Sequence, residues 1–142
     1  MKSQLTWKGN LAFEGKGSQS EFRVQMDASK SAGGDATGLS PMEMFLMSIA
    51  GCASIDIIMI LQKRRKEIKD YWVEITGERR EEKPSYFTSI HMSFHLVSQD
   101  LTEKEVARAI ELSETKYCSA WNNIDPNKTT ITHDYVILQD TD

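Results

Sequence analysis

The chain is 142 residues long, 39% hydrophobic and 27% charged, with a formal net charge of −4. That length suits a single domain spanning 1–142, able to bury most of its apolar surface without disulfide or metal staples. The acidic balance excludes the usual footprint of a nucleic-acid or phospholipid binder.

The N-terminus has no long apolar run of the secretory kind. The longest apolar segment further on is interrupted by Ser48, Ser54 and Asp56, so neither a signal peptide nor a membrane span is expected. Two cysteines, Cys52 and Cys118, stand far apart. They show neither the crowding of a disulfide scaffold nor a C-x-x-C pair, which suits a reducing, cytoplasmic compartment.

Ser3 to Lys8 and Leu11 to Glu14 flank a Gly9-Asn10 turn, and Glu21 to Asp27 alternates Phe22, Val24 and Met26 with polar residues. This pattern predicts a three-stranded antiparallel meander. Ala28 to Gly38 is rich in Ser, Ala, Gly and Lys, has neither strand nor helix period, and reads as a loop.

Ser40 suits an N-cap and Pro41 the first helical position, so a long helix is expected to open there. From Met42 to Leu61 it is apolar on nearly every side, unlike a surface helix with one buried stripe. The expectation is a long, buried central helix, with part of its cover coming from a second subunit. The closing run Gln62-Lys63-Arg64-Arg65-Lys66 complements the negative end of the helix dipole.

Tyr71 to Arg80 and Tyr86 to Gln99 predict a hairpin, with Trp72, Ile75, Ile90, Met92, Phe94 and Leu96 as candidate apolar faces. Thr102 with Glu105 three places on is a capping-box pattern opening a second helix through Val106, Ile110, Tyr117 and Trp121, with Cys118 toward its end. Thr129 to Leu138 is the last strand. The resulting β-β-β-α-β-β-α-β order implies an α+β fold.

Taken alone, a cysteine on an apolar helix behaves as a small hydrophobe more often than as a nucleophile. His91 and His95 share a strand face but stand about 13 Å apart along it, and His133 adds no ligand pattern, so no metal is expected. Ser40 lies in no nucleophile-elbow motif.

Gly38-Leu39-Ser40-Pro41-Met42-Glu43, Ser48-Ile49-Ala50-Gly51-Cys52 and Lys116-Tyr117-Cys118 together resemble the osmotically inducible protein C and organic hydroperoxide resistance family, OsmC/Ohr. The resemblance extends to the element order along essentially the whole chain. It implies an intertwined homodimer that reduces organic hydroperoxides through thiols, with no cofactor beyond a dithiol reductant. Cys52 then takes the attacking position and Cys118 the resolving one.

Such chemistry needs a thiolate stabilised by a nearby cation. Family members are expected to supply an arginine from the N-terminal strand region, held by a glutamate directly after the helix-opening proline. Here Met42 comes directly after Pro41, and the acid comes one place later at Glu43. Nine residues from Glu43 to Cys52 rise about 13 Å and end half a turn off, so the two cannot meet within one helix. Lys16 is the candidate surrogate cation, because alternation turns Arg23 toward solvent. Asp56, one turn after Cys52, opposes a thiolate nearby.

Met42, Phe45 and Ile49 are the candidate wall of an apolar substrate pocket at the subunit interface. Two other readings stay open: a non-catalytic relative that binds an apolar small molecule or protein partner, and a sulfur carrier using Cys52 alone.

Overall fold

The computed structural model describes residues 1–140. The chain divides into two compact units, Met1–Phe45 and the residues from Leu46 onward.

In the first unit, β1 (Ser3–Gly9), β2 (Ala12–Gly17) and β3 (Arg23–Asp27) form the expected antiparallel meander, in the order β1-β2-β3. Gly9 and Asn10 turn the first hairpin with φ of 105° and 44°, which glycine and asparagine tolerate where bulkier residues would be strained. β2 runs three residues beyond the expected end at Glu14, because Gly15, Lys16 and Gly17 pair with both neighbouring strands or with β1.

The loop after β3 contains a short 3₁₀ turn, Lys30–Ala32, and is tied to one buried carboxylate. Asp27 Oδ2 accepts the Thr37 hydroxyl at 2.7 Å, the Thr37 N–H at 3.0 Å and the Asp35 N–H at 3.3 Å. Those donors hold the Asp27 carboxyl below its ordinary range, the Thr37 hydroxyl contributing most. Gly38 passes so close to the Gln25 carbonyl that a Cβ there would lie 2.5 Å from the oxygen.

Helix α1 (Pro41–Lys63) opens as expected, and Ser40 and Glu43 cap it reciprocally. The Glu43 N–H donates to Ser40 Oγ at 3.1 Å, and the Ser40 N–H donates to Glu43 Oε2 at 2.9 Å. By length and composition α1 would also pass as a membrane span. In the structure one stripe of it, Ile49, Ala53, Ile57 and Leu61, is instead buried in the protein, together with Ala50.

Among the described residues, one side of α1 is buried and another is open. Ile55 is 64% and Met59 50% exposed, and they lie on another stripe of the helix.

The second unit adds β4 (Asp70–Arg79), β5 (Phe87–Val97) and β6 (Thr130–Leu138) in the order β4-β5-β6. β4 and β5 form the antiparallel hairpin, while β6 pairs parallel to β5. The parallel pairing needs a crossover, supplied by α2 (Glu103–Leu112) and the segment between it and β6. Thr102 and Glu105 complete the capping box at the start of α2.

Ile90, Met92, Phe94 and Leu96 of β5 are all fully buried, one face of a strand flanked on both sides. Together with the α1 stripe and Val106, Ala109 and Ile110 of α2 they make the core. Trp72 is not in it: it is 38% exposed and stacks on its cross-strand partner His95, with ring centroids 4.8 Å apart. Trp72 and Ile75 differ in strand parity and so cannot share a face.

The second helix is also broken where it was expected to continue. α2 ends at Leu112, a five-residue π-turn spans Ser113–Tyr117, and a short α3 covers Ser119–Asn122. Cys118 stands in the break, with extended backbone at φ −74° and ψ 103°.

Candidate active site at Cys52 and Cys118

Cys52 lies about three turns beyond Pro41 in α1, on the flank of the buried stripe, and is half-buried; Cys118 is fully buried. Both are free thiols, and Cys52 is among the neighbours that raise the pKa of the Cys118 thiol. The Cys118 thiol also points to the Ile49 carbonyl, with its sulfur 4.0 Å away, one helical turn before Cys52. Two cysteines far apart in sequence are thus closed onto one turn of α1 by the crossover.

The break in the second helix sets this geometry. The Cys118 N–H donates to the Ser113 carbonyl at 2.8 Å, closing the π-turn, and Cys118 Sγ caps α3 by accepting the Trp121 N–H at 3.3 Å. In a continuous α-helix the Trp121 N–H would bond to the Tyr117 carbonyl rather than to the Cys118 sulfur. Asn122 Nδ2 secures the same segment, donating to the carbonyls of Glu114 and Cys118 at 2.8 Å each.

Electrostatics at the pair disfavour ionisation of the second thiol. Burial pushes Cys118 up from 9.0 to about 11; the Trp121 N–H opposes the rise, and Cys52 and the Asp56 carboxylate add to it. Asp56, one turn beyond Cys52, accepts a hydrogen bond from Ser113 Oγ at 3.1 Å. On the next flank Ser54 Oγ donates to the Ala50 carbonyl at 2.6 Å and accepts the Tyr71 hydroxyl at 2.8 Å. Burial raises that phenol to about 12, so it stays a neutral donor.

Asp56 also lines a cleft of about 310 Å³ with Met59, Ile60, Lys63, Arg64, Leu112 and Tyr117. Of the residues that place the second sulfur, Ser113 stands in no motif, and Trp121 was legible only as a member of the helical apolar spacing.

The other candidate residues have partners of their own. Glu43 caps α1, and Lys16 makes a long ion pair of 3.8 Å with the exposed Glu21. No ion pair joins Lys16 to Glu43 among the described residues. Arg23 is neutralised by Glu14 at 2.6 Å on the outer face of the meander, in keeping with its outward alternation. Of the candidate pocket residues, Ile49 is packed in the core, Met42 is half-buried and Phe45 is exposed. His91 pairs with Asp134 at 3.1 Å, and no cluster of three metal-ligating side chains occurs among the described residues.

Over 138 residues, 97% of this chain and 98% of the relative, the sequence is 41% identical to Protein YhfA of Escherichia coli (strain K12). The solved structure of a hypothetical protein from Aquifex aeolicus VF5 is 29% identical, with a TM-score of 0.79 over 96% of each chain. An organic hydroperoxide resistance protein OsmC from Legionella pneumophila shares the fold at 13% identity, with a TM-score of 0.66 over 94% of each chain. Residues 33–134 match the family described as OsmC-like protein, and the chain belongs to that family.

Proposed function

We propose that this protein is a homodimeric, cytoplasmic, thiol-dependent reductase of organic hydroperoxides, with Cys52 attacking and Cys118 resolving. The observation that carries the reading is the placement of the Cys118 sulfur 4.0 Å from the Ile49 carbonyl, one helical turn before Cys52, the other cysteine of the chain. A structural neighbour named an organic hydroperoxide resistance protein supports the substrate class.

The Cys52 thiolate attacks the peroxide O–O bond, leaving a sulfenic acid and, after proton uptake, an alcohol. The Cys118 thiol then displaces the sulfenic hydroxyl, which departs as water, and a disulfide forms. A dithiol reductant resets the pair by exchange. The division of labour matches the burial: the half-buried thiol meets the substrate, and the fully buried one stays protonated until the sulfenic acid forms.

A second copy of the chain supplies what one copy leaves open. The exposed stripe of Ile55 and Met59 on α1, and Phe22, Leu5 and Trp7 at 89%, 56% and 65% exposure, are apolar surface of the kind a partner covers. Lys16 from that second copy is the proposed cation at Cys52, its long contact with Glu21 leaving it free to re-pair. Glu43 contributes by capping α1. Met42 and Phe45, one turn apart on α1, offer the apolar substrate wall, while Ile49 lies in the core behind them.

The test is stoichiometric cumene hydroperoxide added to the reduced protein. Peroxide consumption with a Cys52–Cys118 linkage by mass spectrometry is expected, and both are lost in Cys52→Ser. No linkage and no consumption refutes the proposal.

One observation favours a second reading, a non-catalytic ligand binder: the charged group acting on Cys118 is a carboxylate, Asp56, and it lines the cleft beside Met59 and Leu112. In that case the biological phenotype survives Cys52→Ser.

A further inference from the structure

Asp56 and Ser113 take no part in the peroxide chemistry of the two thiols, yet they are built into its frame. A part-buried carboxylate within an apolar helix face is costly unless a hydrogen bond holds it there. Next to a thiol pair its charge works against ionisation, so charge does not explain its position. Its geometry does.

Asp56 stands one turn from Cys52, and its Oδ2 accepts the hydroxyl of Ser113, a residue with no solvent exposure. The backbone carbonyl of the same Ser113 accepts the Cys118 N–H at 2.8 Å. One residue therefore fastens to α1 through its side chain and to Cys118 through its main chain. The π-turn between them is a rare form of helix that occurs mostly as single turns, frequently at functional sites.

We infer that Asp56 and Ser113 form a clip that positions Cys118 against Cys52, each being a positioning residue for disulfide formation. The inference rests on the proposed thiol-pair function. In the step it serves, an organic hydroperoxide has oxidised Cys52 to the sulfenic acid; the Cys118 sulfur attacks, the S–O bond breaks and the S–S bond forms. The Cys118 proton leaves with the hydroxyl as water. The clip raises the effective concentration of the second thiol at the first, so that resolution outruns attack by thiols from solution.

The test equilibrates the full-length protein in buffers of reduced and oxidised glutathione and measures the Cys52–Cys118 disulfide by mass spectrometry. Asp56→Ala and Ser113→Ala are each expected to lower the equilibrium constant for the intramolecular disulfide about tenfold or more, the loss of effective concentration that released tethering gives. Asp56→Asn, which keeps an acceptor oxygen for Ser113 without the charge, restores it to within about twofold of the wild type. The double alanine variant is no worse than either single one, because both break the same link.

Thermal unfolding of the reduced proteins checks that each variant is folded. Should Ser113→Ala not fold, the Asp56 pair of variants decides alone. Equilibrium constants unchanged in the alanine variants, or Asp56→Asn as defective as Asp56→Ala, overturn the clip. Because no peroxide is used, wild-type protein that consumes no peroxide but shows the variant pattern sinks the reductase reading only. Peroxide consumption with no variant effect sinks the clip only.

Discussion

Alkylation of Cys118 by iodoacetamide, measured against pH in the Cys52→Ser variant, tests the electrostatics of the site directly. A thiol at the ordinary 9.0 is about 9% thiolate at pH 8, and one pushed to about 11 is about 0.1%, so folding lowers the reactive fraction about 100-fold. Steric shielding also slows the reaction, but it scales the rate without moving the midpoint of the pH profile. The midpoint is therefore the decisive reading. It is expected well above 9.0 in the folded chain and at the ordinary thiol value in urea, since burial is the largest cause and survives removal of Cys52. A folded-state midpoint at or below 9.0 would refute the argument and imply a cation at the sulfur.

The same shift has a consequence for stability. A thiol whose folded pKa is raised contributes stability that is complete below pH 9.0 and is lost as pH climbs toward 11, because the unfolded thiol ionises first. Tyr71, raised from 10.0 to about 12, adds to that loss above pH 10.

The packing sets three further outcomes. Thr102→Ala removes the Oγ that accepts the Glu105 N–H and should cost about 1 kcal/mol in urea unfolding, with Thr102→Ser retaining most of it. Gly77→Ala places a Cβ 2.4 Å from Phe87 Cε1 and should destabilise by about 1–3 kcal/mol, against a near-neutral Gly17→Ala, where the space is open. Ile55→Lys puts a charge on the open stripe of α1; sedimentation should show a wild-type dimer and a largely monomeric variant, and equal masses would remove the homodimer.

The elements whose cause is local were legible from the residues alone. The N-terminal meander comes from alternation around Gly9-Asn10, the start of α1 from Ser40-Pro41, and the start of α2 from the Thr102–Glu105 box. Family membership was legible too, because Ser40-Pro41 and the two cysteine motifs stand at their places along the chain. In each local element the interacting groups lie within a few residues of one another, so the pattern contains its own partner.

The folded chain was needed for whatever depends on the segment opposite. Nothing local marks β6 as parallel to β5, or Trp72 as facing away from the core. The reach of β2 past Glu14 depends on neighbouring strands. The periodicity from Val106 to Trp121 reads as one helix, yet it breaks at Cys118: the Ser113 hydroxyl, at the start of the π-turn, meets a carboxylate 57 positions earlier, and the Cys118 sulfur replaces a backbone carbonyl as cap. Apolar period reports which face seeks cover and is silent on what provides it. A hydrogen bond across 57 residues has no counterpart in either local sequence, so the tertiary structure alone decided where the second sulfur would sit.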